Sequence, residues 1–282
     1  MTTMPSFVFR NPSPMPGFGL AFGTMMAMLS LIVLLPIGAL ILFGADMGVA
    51  QIWASVNTPR VWAALRLSFV TAFLAALFNL FFGLALAWVL TRYSFPGRRI
   101  VDAMVDLPFA LPTAVAGIAL TALYAPNGAF GSLLAPLGIK VAYTQLGIWV
   151  ALVFIGIPFV VRTVQPVIEE IEREVEEASA TLGAYRLRTF MKVILPMLTP
   201  ALLTGFALAL ARAVGEYGSV IFIAGNLPRV TEIAPLLIVI KLEEFDMNGA
   251  VAIALAMLAI SFLMLLVINL IQVWSRRRIG HV

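Results

Sequence analysis

Residues 67–90 read LSFVTAFLAALFNLFFGLALAWVL, an uncharged run whose only hydrophilic residues are Ser68, Thr71 and Asn79. About 20 mostly apolar residues, rising about 1.5 Å each, cross a hydrocarbon layer about 30 Å thick. The run therefore predicts a membrane-spanning helix. A strand in an open sheet would leave its edge groups unpaired in lipid, and the two-residue alternation of a membrane barrel is absent. Five further segments have the same character: Gly19–Phe43, Asp106–Tyr124, Tyr143–Val161, Pro200–Ala224 and Gly249–Trp274. The expected fold is all-α, a polytopic membrane protein with six transmembrane helices. Residues 1–18 precede the membrane domain, 19–274 form it, 162–199 make its largest loop, and 275–282 are a tail.

Composition agrees. Of 282 residues, 62% are hydrophobic and 11% charged, against about 45–50% and about 25% in soluble domains. This excludes a soluble globular protein, a disordered chain and a nucleic-acid binder. With no cysteine, and His281 as the only histidine, disulfides, thiolate sites and imidazole metal ligation are not expected. Arg10 is followed by Asn11 and three prolines, and the chain is then uncharged until Asp46. That is too long an apolar stretch for a cleaved signal.

Orientation follows from Lys and Arg in the connections. Eleven lie at one side: Arg10, Arg92, Arg98, Arg99, Arg173, Arg186, Arg188, Lys192 and Arg276–Arg278. Four (Arg60, Lys140, Arg229, Lys241) lie at the other. Both termini are thus expected in the cytoplasm. Trp53, Trp62, Trp149 and Trp274 fall near span ends, where interfacial aromatics belong.

The largest cytoplasmic loop opens with Glu169, Glu170, Glu172, Glu174, Glu176 and Glu177. Ile168, Ile171, Val175, Ala178 and Leu182 recur at helical spacing beneath them, predicting one amphipathic helix that ends at Gly183. A helix lying on anionic lipid would carry Lys and Arg on its polar face; this one carries carboxylates and suits a protein partner. A second short segment, Tyr185–Leu195, bears Arg186, Arg188 and Lys192.

Glu177-Ala178-Ser179, then Gly183, Val193 and Leu195-Pro196, resembles the EAA loop of ATP-binding-cassette importer permeases. Ser179 replaces an alanine of that pattern and Val193 an isoleucine. The resemblance implies a type I importer permease fold and a loop of two short helices that docks on a cytoplasmic ATPase, with Gly183 at the bend. Leu90–Arg98, Asp106–Gly117, Ile157–Pro166, Gly215-Glu216-Tyr217-Gly218 and Ile221–Asn226 are similar to the sulfate/thiosulfate permeases, above all to their T-type chains. This implies a second, paralogous permease subunit, a pair of ATPase subunits and a periplasmic sulfate/thiosulfate-binding protein as partners, within the lipid bilayer and with no nucleic acid. ATP and Mg would be bound by the ATPase, so no cofactor is expected on this chain. Molybdate permeases share the plan, and another oxyanion such as molybdate is the alternative substrate.

A dianion crossing lipid needs fixed cations, hydroxyls or backbone N–H groups. Arg212, about twelve residues into the fifth expected span, is the deepest cation. Glu216 lies one turn on, so the two either pair and fix packing or line the path as a gate. Asp106-Leu107-Pro108 suits a helix start with the carboxylate capping it. Pro112 loosens the backbone further in, as a structural kink or as part of the path. Arg162 is expected to snorkel or to pair within the loop, and Arg66 to anchor at the interface. Ile233, Leu236, Leu237 and Ile240, after Thr231-Glu232 and around Pro235, predict a short outer helix.

Two other classes fit less well. A membrane enzyme needs a nucleophile with a base, or a metal; neither is suggested, and no phosphate-cradling Gly-x-x-x-x-Gly-Lys loop is present. A secondary transporter usually carries midplane carboxylates and internal repeats; only Glu216 qualifies.

Overall fold

The computed structural model describes residues 17–279. Arg10 and His281 lie outside them. Among the described residues the chain is helical throughout, with no strand.

Residues up to Val49 form a unit of their own. It consists of α1, Phe18–Met47, long and apolar enough to span a membrane. Its apolar side chains stand exposed, Leu20, Leu31 and Leu42 among them. Pro36 lies two residues beyond a π-turn at Ser30–Leu34. The widened turn accommodates the ring and the missing N–H without breaking the helix.

The second unit, from Ala50 onward, begins with α2, Val49–Val56, and is built on α3, Pro59–Arg92. There follow α4 (Arg98–Val105), α5 (Leu107–Ala110), α6 (Thr113–Tyr124) and α7 (Gln145–Glu170). The loop helix α8 covers Arg173–Thr181 and the long helix α9 Arg186–Val214. Last come α10 (Val220–Ile223), α11 (Ala234–Glu243) and α12 (Met247–Ile279). Thr58 accepts from the Val61 N–H and caps α3, with Pro59 at its first position.

The core is the packing of α3, α7 and α9 on one another. Small residues permit it. Ala72, Ala75, Ala76 and Ala87 of α3 are buried. Val160 of α7 lies between two glycines: a Cβ on Gly83 of α3 would sit 2.8 Å from Val160 Cγ1, and one on Gly205 of α9 would sit 3.0 Å from Val160 Cα. Where lipid is as apolar as the helix surface, such close approach is the main source of association.

Five helices among the described residues are long and apolar enough to span: α1, α3, α7, α9 and α12 up to Val273. The six-span expectation is corrected at its third member. Residues 106–124 are not one helix but α5, an extended Leu111 (φ −89°, ψ 134°) and α6. Pro112 forces the break, because its ring excludes the helical conformation from the preceding residue. With 12 residues, α6 is about 18 Å long and cannot cross the hydrocarbon alone.

The fifth expected span also shifts. The helix starts at Arg186, before Pro200, and ends at Val214, before Ala224. Tyr185–Leu195 is therefore not a separate short helix but the start of α9. A π-turn at Phe190–Ile194 lets it pass Pro196, as in α1. Nor does the fourth helix stop at Val161: it continues through Pro166 to Glu170.

If the glycine contacts set the core spacing, Gly83→Ala destabilises by about 1–3 kcal/mol through overpacking. Val160→Ala added to it should recover most of that. Thermal unfolding of the detergent-solubilised protein measures both, and a neutral Gly83→Ala would contradict the packing assigned here.

Candidate functional site

The loop end of the molecule is assembled around arginines. Chain direction changes at Ile171–Glu172, between α7 and α8. Ile168 and Ile171, expected on the loop helix, instead belong to the end of α7 and to the break, where both are buried. Ala178 and Leu182 are exposed, Leu182 to 88%. The single amphipathic helix expected over 168–182 is thus two elements, and the apolar end of α8 faces outward. Arg92, last residue of α3, donates to the Ile171 carbonyl at 3.0 Å and meets Glu176 at 3.0 Å, its guanidinium over the Trp88 ring. It fastens the loop to the bundle.

Gly183 has φ +81° and open space around its Cβ position. The left-handed conformation that reverses the chain there is the reason for glycine. Across the bend, the Ser179 and Thr189 hydroxyls hydrogen-bond at 2.9 Å. Ser179 does what alanine could not: it ties the two arms together. Between the arms lies a concave groove whose walls include Ser179, Leu182, Arg188, Lys192 and Val193. Glu177 and Ala178 are exposed, and Leu195 and Pro196 are half-buried in the first turns of α9. Leu182, Tyr185 and Leu187 project at the tip, each more than 60% exposed.

Of the two roles expected for Arg162, it is pairing with a loop that the structure shows, with residues of the connection before α5. Its Nε and Nη2 donate to the two carboxylate oxygens of Asp106 (2.8 and 2.7 Å), Nη1 to Asp102 and Gln165 (both 2.7 Å), and Nη2 to the Asp102 carbonyl (2.8 Å). Asp106 is accordingly not a side-chain cap of the helix that follows. Its carboxylate is taken by Arg162, and its backbone carbonyl accepts from Phe109 and Ala110. A bidentate guanidinium pair is a stronger use of a carboxylate than a lone N–H. Pro108 lies in the α5 turn so anchored, and exposed Pro112 opens α6.

Farther from the loop, Arg212 sits in the last turn of α9, where a cation suits the helix end. It donates to Glu216, which is only 3% exposed. The other Glu216 oxygen accepts from both the N–H and the hydroxyl of buried Ser219 at 2.8 Å. The carboxylate thus holds the non-helical turn between α9 and α10. Two glycine contacts place that turn on α6. A Cβ on Gly218 would fall 2.2 Å from Thr113 Oγ1, and one on Gly117 would fall 2.4 Å from the Ser219 carbonyl oxygen. The two interrupted segments, at Pro112 and Gly215, are therefore one packed unit.

At the opposite end, Arg60 binds buried Glu232 through Nε (2.8 Å) and Nη2 (2.6 Å). Ser68 accepts from the Ala234 N–H at 2.8 Å. Ile233, Leu236 and Leu237 are buried, so α11 rests on α3 and α12. Arg66 is exposed, as an interfacial anchor would be. The roles of Arg92, Asp102, Thr189, Ser219 and the Arg60–Glu232 pair escaped sequence reading. Only Ser179, the departure from alanine, hinted at one of them.

The chain matches the family described as "Binding-protein-dependent transport system inner membrane component" over residues 79–281. It is 53% identical over 276 residues to the "Sulfate transport system permease protein CysT" of Escherichia coli K12, covering 98% of this chain and 100% of that one. Identity to the protein of the same name from Synechocystis sp. is 50% over 249 residues, covering 88% and 87%. A chain in the crystal structure of a bacterial ABC transporter for alginate import superposes with a TM-score of 0.73 at 16% identity, covering 92% and 94%. One in the MetNI methionine ABC transporter gives 0.57 at 19%, covering 78% and 99%. The chain belongs to the inner-membrane components of binding-protein-dependent transport systems, has the ABC importer permease fold, and is a multi-pass inner-membrane protein.

Glu216 makes Arg212 a stability residue. Arg212→Met leaves a buried carboxylate with only Ser219 as donor, and removing one partner of such a pair costs about 3 kcal/mol or more. Expression and thermal stability should fall, and Arg212→Met with Glu216→Gln should restore them. A double variant no better than the single would refute the pairing.

Proposed function

We propose that the chain is the transmembrane permease of an ATP-driven importer for sulfate and thiosulfate, and forms half of the translocation pathway. The observation that carries this is the 53% identity, over nearly the whole of both chains, to proteins named sulfate transport system permease.

In this reading the loop end faces the cytoplasm, with both termini. The tip residues Leu182, Tyr185 and Leu187 enter a groove of an ATPase subunit, and Glu177 and its acidic neighbours face basic groups on the partner. A pair of ATPases binds ATP and Mg; this chain binds no cofactor and hydrolyses nothing. Closure of the ATPases displaces the loop, and the tie between Ser179 and Thr189 makes its two arms move as one. A second permease chain, a paralogue, supplies the other half of the pathway. A periplasmic binding protein delivers the anion at the end that carries α11.

Along the path, Arg212 is the cation paired into the turn that follows α9. Its side chain is 32% exposed while that of Glu216 is 2% exposed, so the guanidinium reaches the surface while the carboxylate is spent on Ser219 and on the arginine itself. Thr113, at the start of α6, adds a hydroxyl beside the same turn. Hydrogen-bond donors without a free counter-charge suit a dianion that must be bound and then released.

Uptake into vesicles carrying the full importer should require ATP and not a proton gradient. Labelled sulfate uptake should be competed by thiosulfate. Competition by molybdate but not thiosulfate would move the substrate to molybdate. Gly183→Val should abolish coupling while the helices still insert, because a β-branched residue is strained at positive φ. Gly183→Asn, tolerated in that conformation, should retain most of it. Normal uptake by Gly183→Val would overturn the loop's role.

A further inference from the structure

Beside the loop end, α3 and the start of α9 leave a cleft of about 600 Å³ walled by Phe81, Leu84, Trp88, Val89, Phe95 and Phe190. Beside it lies a second hollow that shares Ser94 and Phe95 with it and is lined further by Gly97, Arg98 and Arg99. Aromatic rings in an apolar cleft on a spanning helix, with guanidiniums at its mouth, make a two-part surface. One part suits acyl chains, the other an anionic headgroup.

The charges decide the occupant. Arg92 is turned away to the loop, on Ile171 and Glu176. Asp102, on the wall of the second hollow, shares Arg162 (2.7 Å) with Asp106, so the three groups together keep one negative charge. Arg98 and Arg99 form no ion pair or side-chain hydrogen bond among the described residues. The two arginines outweigh the one carboxylate charge left over, and the hollow carries a net positive charge. Tyr93, on the wall of the apolar cleft next to Ser94, is 59% exposed, and an amphipathic ring suits the headgroup region.

We propose that this cleft binds an anionic phospholipid, its acyl chains on the Trp88–Phe190 wall and its phosphate on Arg98 and Arg99. Basic pockets beside spanning helices hold such headgroups, and each Arg contributes enough to matter singly. The site does not depend on which anion the importer carries.

The purified full importer, stripped of loosely held lipid, is offered equal phosphatidylglycerol and phosphatidylcholine with identical chains, and lipid bound per complex is counted by native mass spectrometry. The wild type should prefer phosphatidylglycerol on the order of 10- to 30-fold. Arg98→Gln with Arg99→Gln, the first half-buried and the second exposed, should abolish the preference and leave transport assembly intact. Ala85→Trp, which fills the apolar cleft, should reduce binding of both lipids. A wild type without preference, or a double variant that keeps it, overturns the proposal. So does a photo-crosslinker at Tyr93 that captures another protein chain in place of lipid.

Discussion

From Ala50 onward the structure hangs on the approach of three helices at Val160. In water, helices pack because water expels their apolar faces; in hydrocarbon that drive is gone, and contact must come from close fit. Gly83 and Gly205 face Val160 from two sides, at distances that leave no room for even a methyl group. This spacing carries consequences upward and downward along the same helices. It brings the end of α3 within reach of the loop, so that Arg92 meets Ile171 and Glu176. It also brings Asn79 against the α7 backbone, donating to the Val153 carbonyl at 3.2 Å. A wider core would leave that amide in an apolar setting without a partner, at a cost of a few kcal/mol.

Given a tight core, the chain can carry irregular backbone beside it. Such backbone is tolerated inside a membrane only where protein or water satisfies it. At the α9–α10 turn the satisfaction is supplied by one buried carboxylate with three donors, from Arg212 and Ser219. At α4–α6 it comes from Arg162, which occupies both Asp106 oxygens and the Asp102 carbonyl. In both places an ion pair stands where a helix would otherwise continue. This explains why charged residues persist in a chain that is only 11% charged.

The sequence made the long helices, the bend at Gly183 and the Arg212–Glu216 spacing legible, because each depends on residues close in the chain. Apolar run length identifies a span, a glycine identifies a left-handed turn, and four residues place two side chains on one helix face. What it hid depends on distant residues. Arg162 and Asp106 both stood in motifs, but a separation of 56 residues gives no register from which to pair them. The third segment misled for a different reason. Hydropathy averages over Leu111-Pro112, whereas the backbone responds to the proline alone. The start of α9 misled likewise, because the π-turn before Pro196 lets a helix pass a residue that normally marks its boundary.

The two ion-paired irregularities are not independent. Ile171 is held to α3 by Arg92, and nine residues earlier on the same helix Arg162 holds the α4–α5 segment. That segment continues through the extended Leu111 into α6, and α6 is seated on the Gly215–Ser219 turn with Thr113 Oγ1 against Gly218 and Gly117 against the Ser219 backbone. Contacts this close are between backbones or stiff β-branched groups, so neither partner can slide without carrying the other. Leu111 is the extended residue between α5 and α6; its N–H still donates to the Leu107 carbonyl at 3.0 Å. α7 also touches α6 and α10 directly, so the segment through Leu111 is one of two connections between α7 and α6. The Glu216 turn, pinned to α6, must follow it. The alternative, parting Gly117 from Ser219, would open a void beside a buried carboxylate, and a buried charge without its full set of donors is the costlier outcome. The geometry thus makes α6 and the Glu216 turn one packed body, joined to α5 through the extended Leu111.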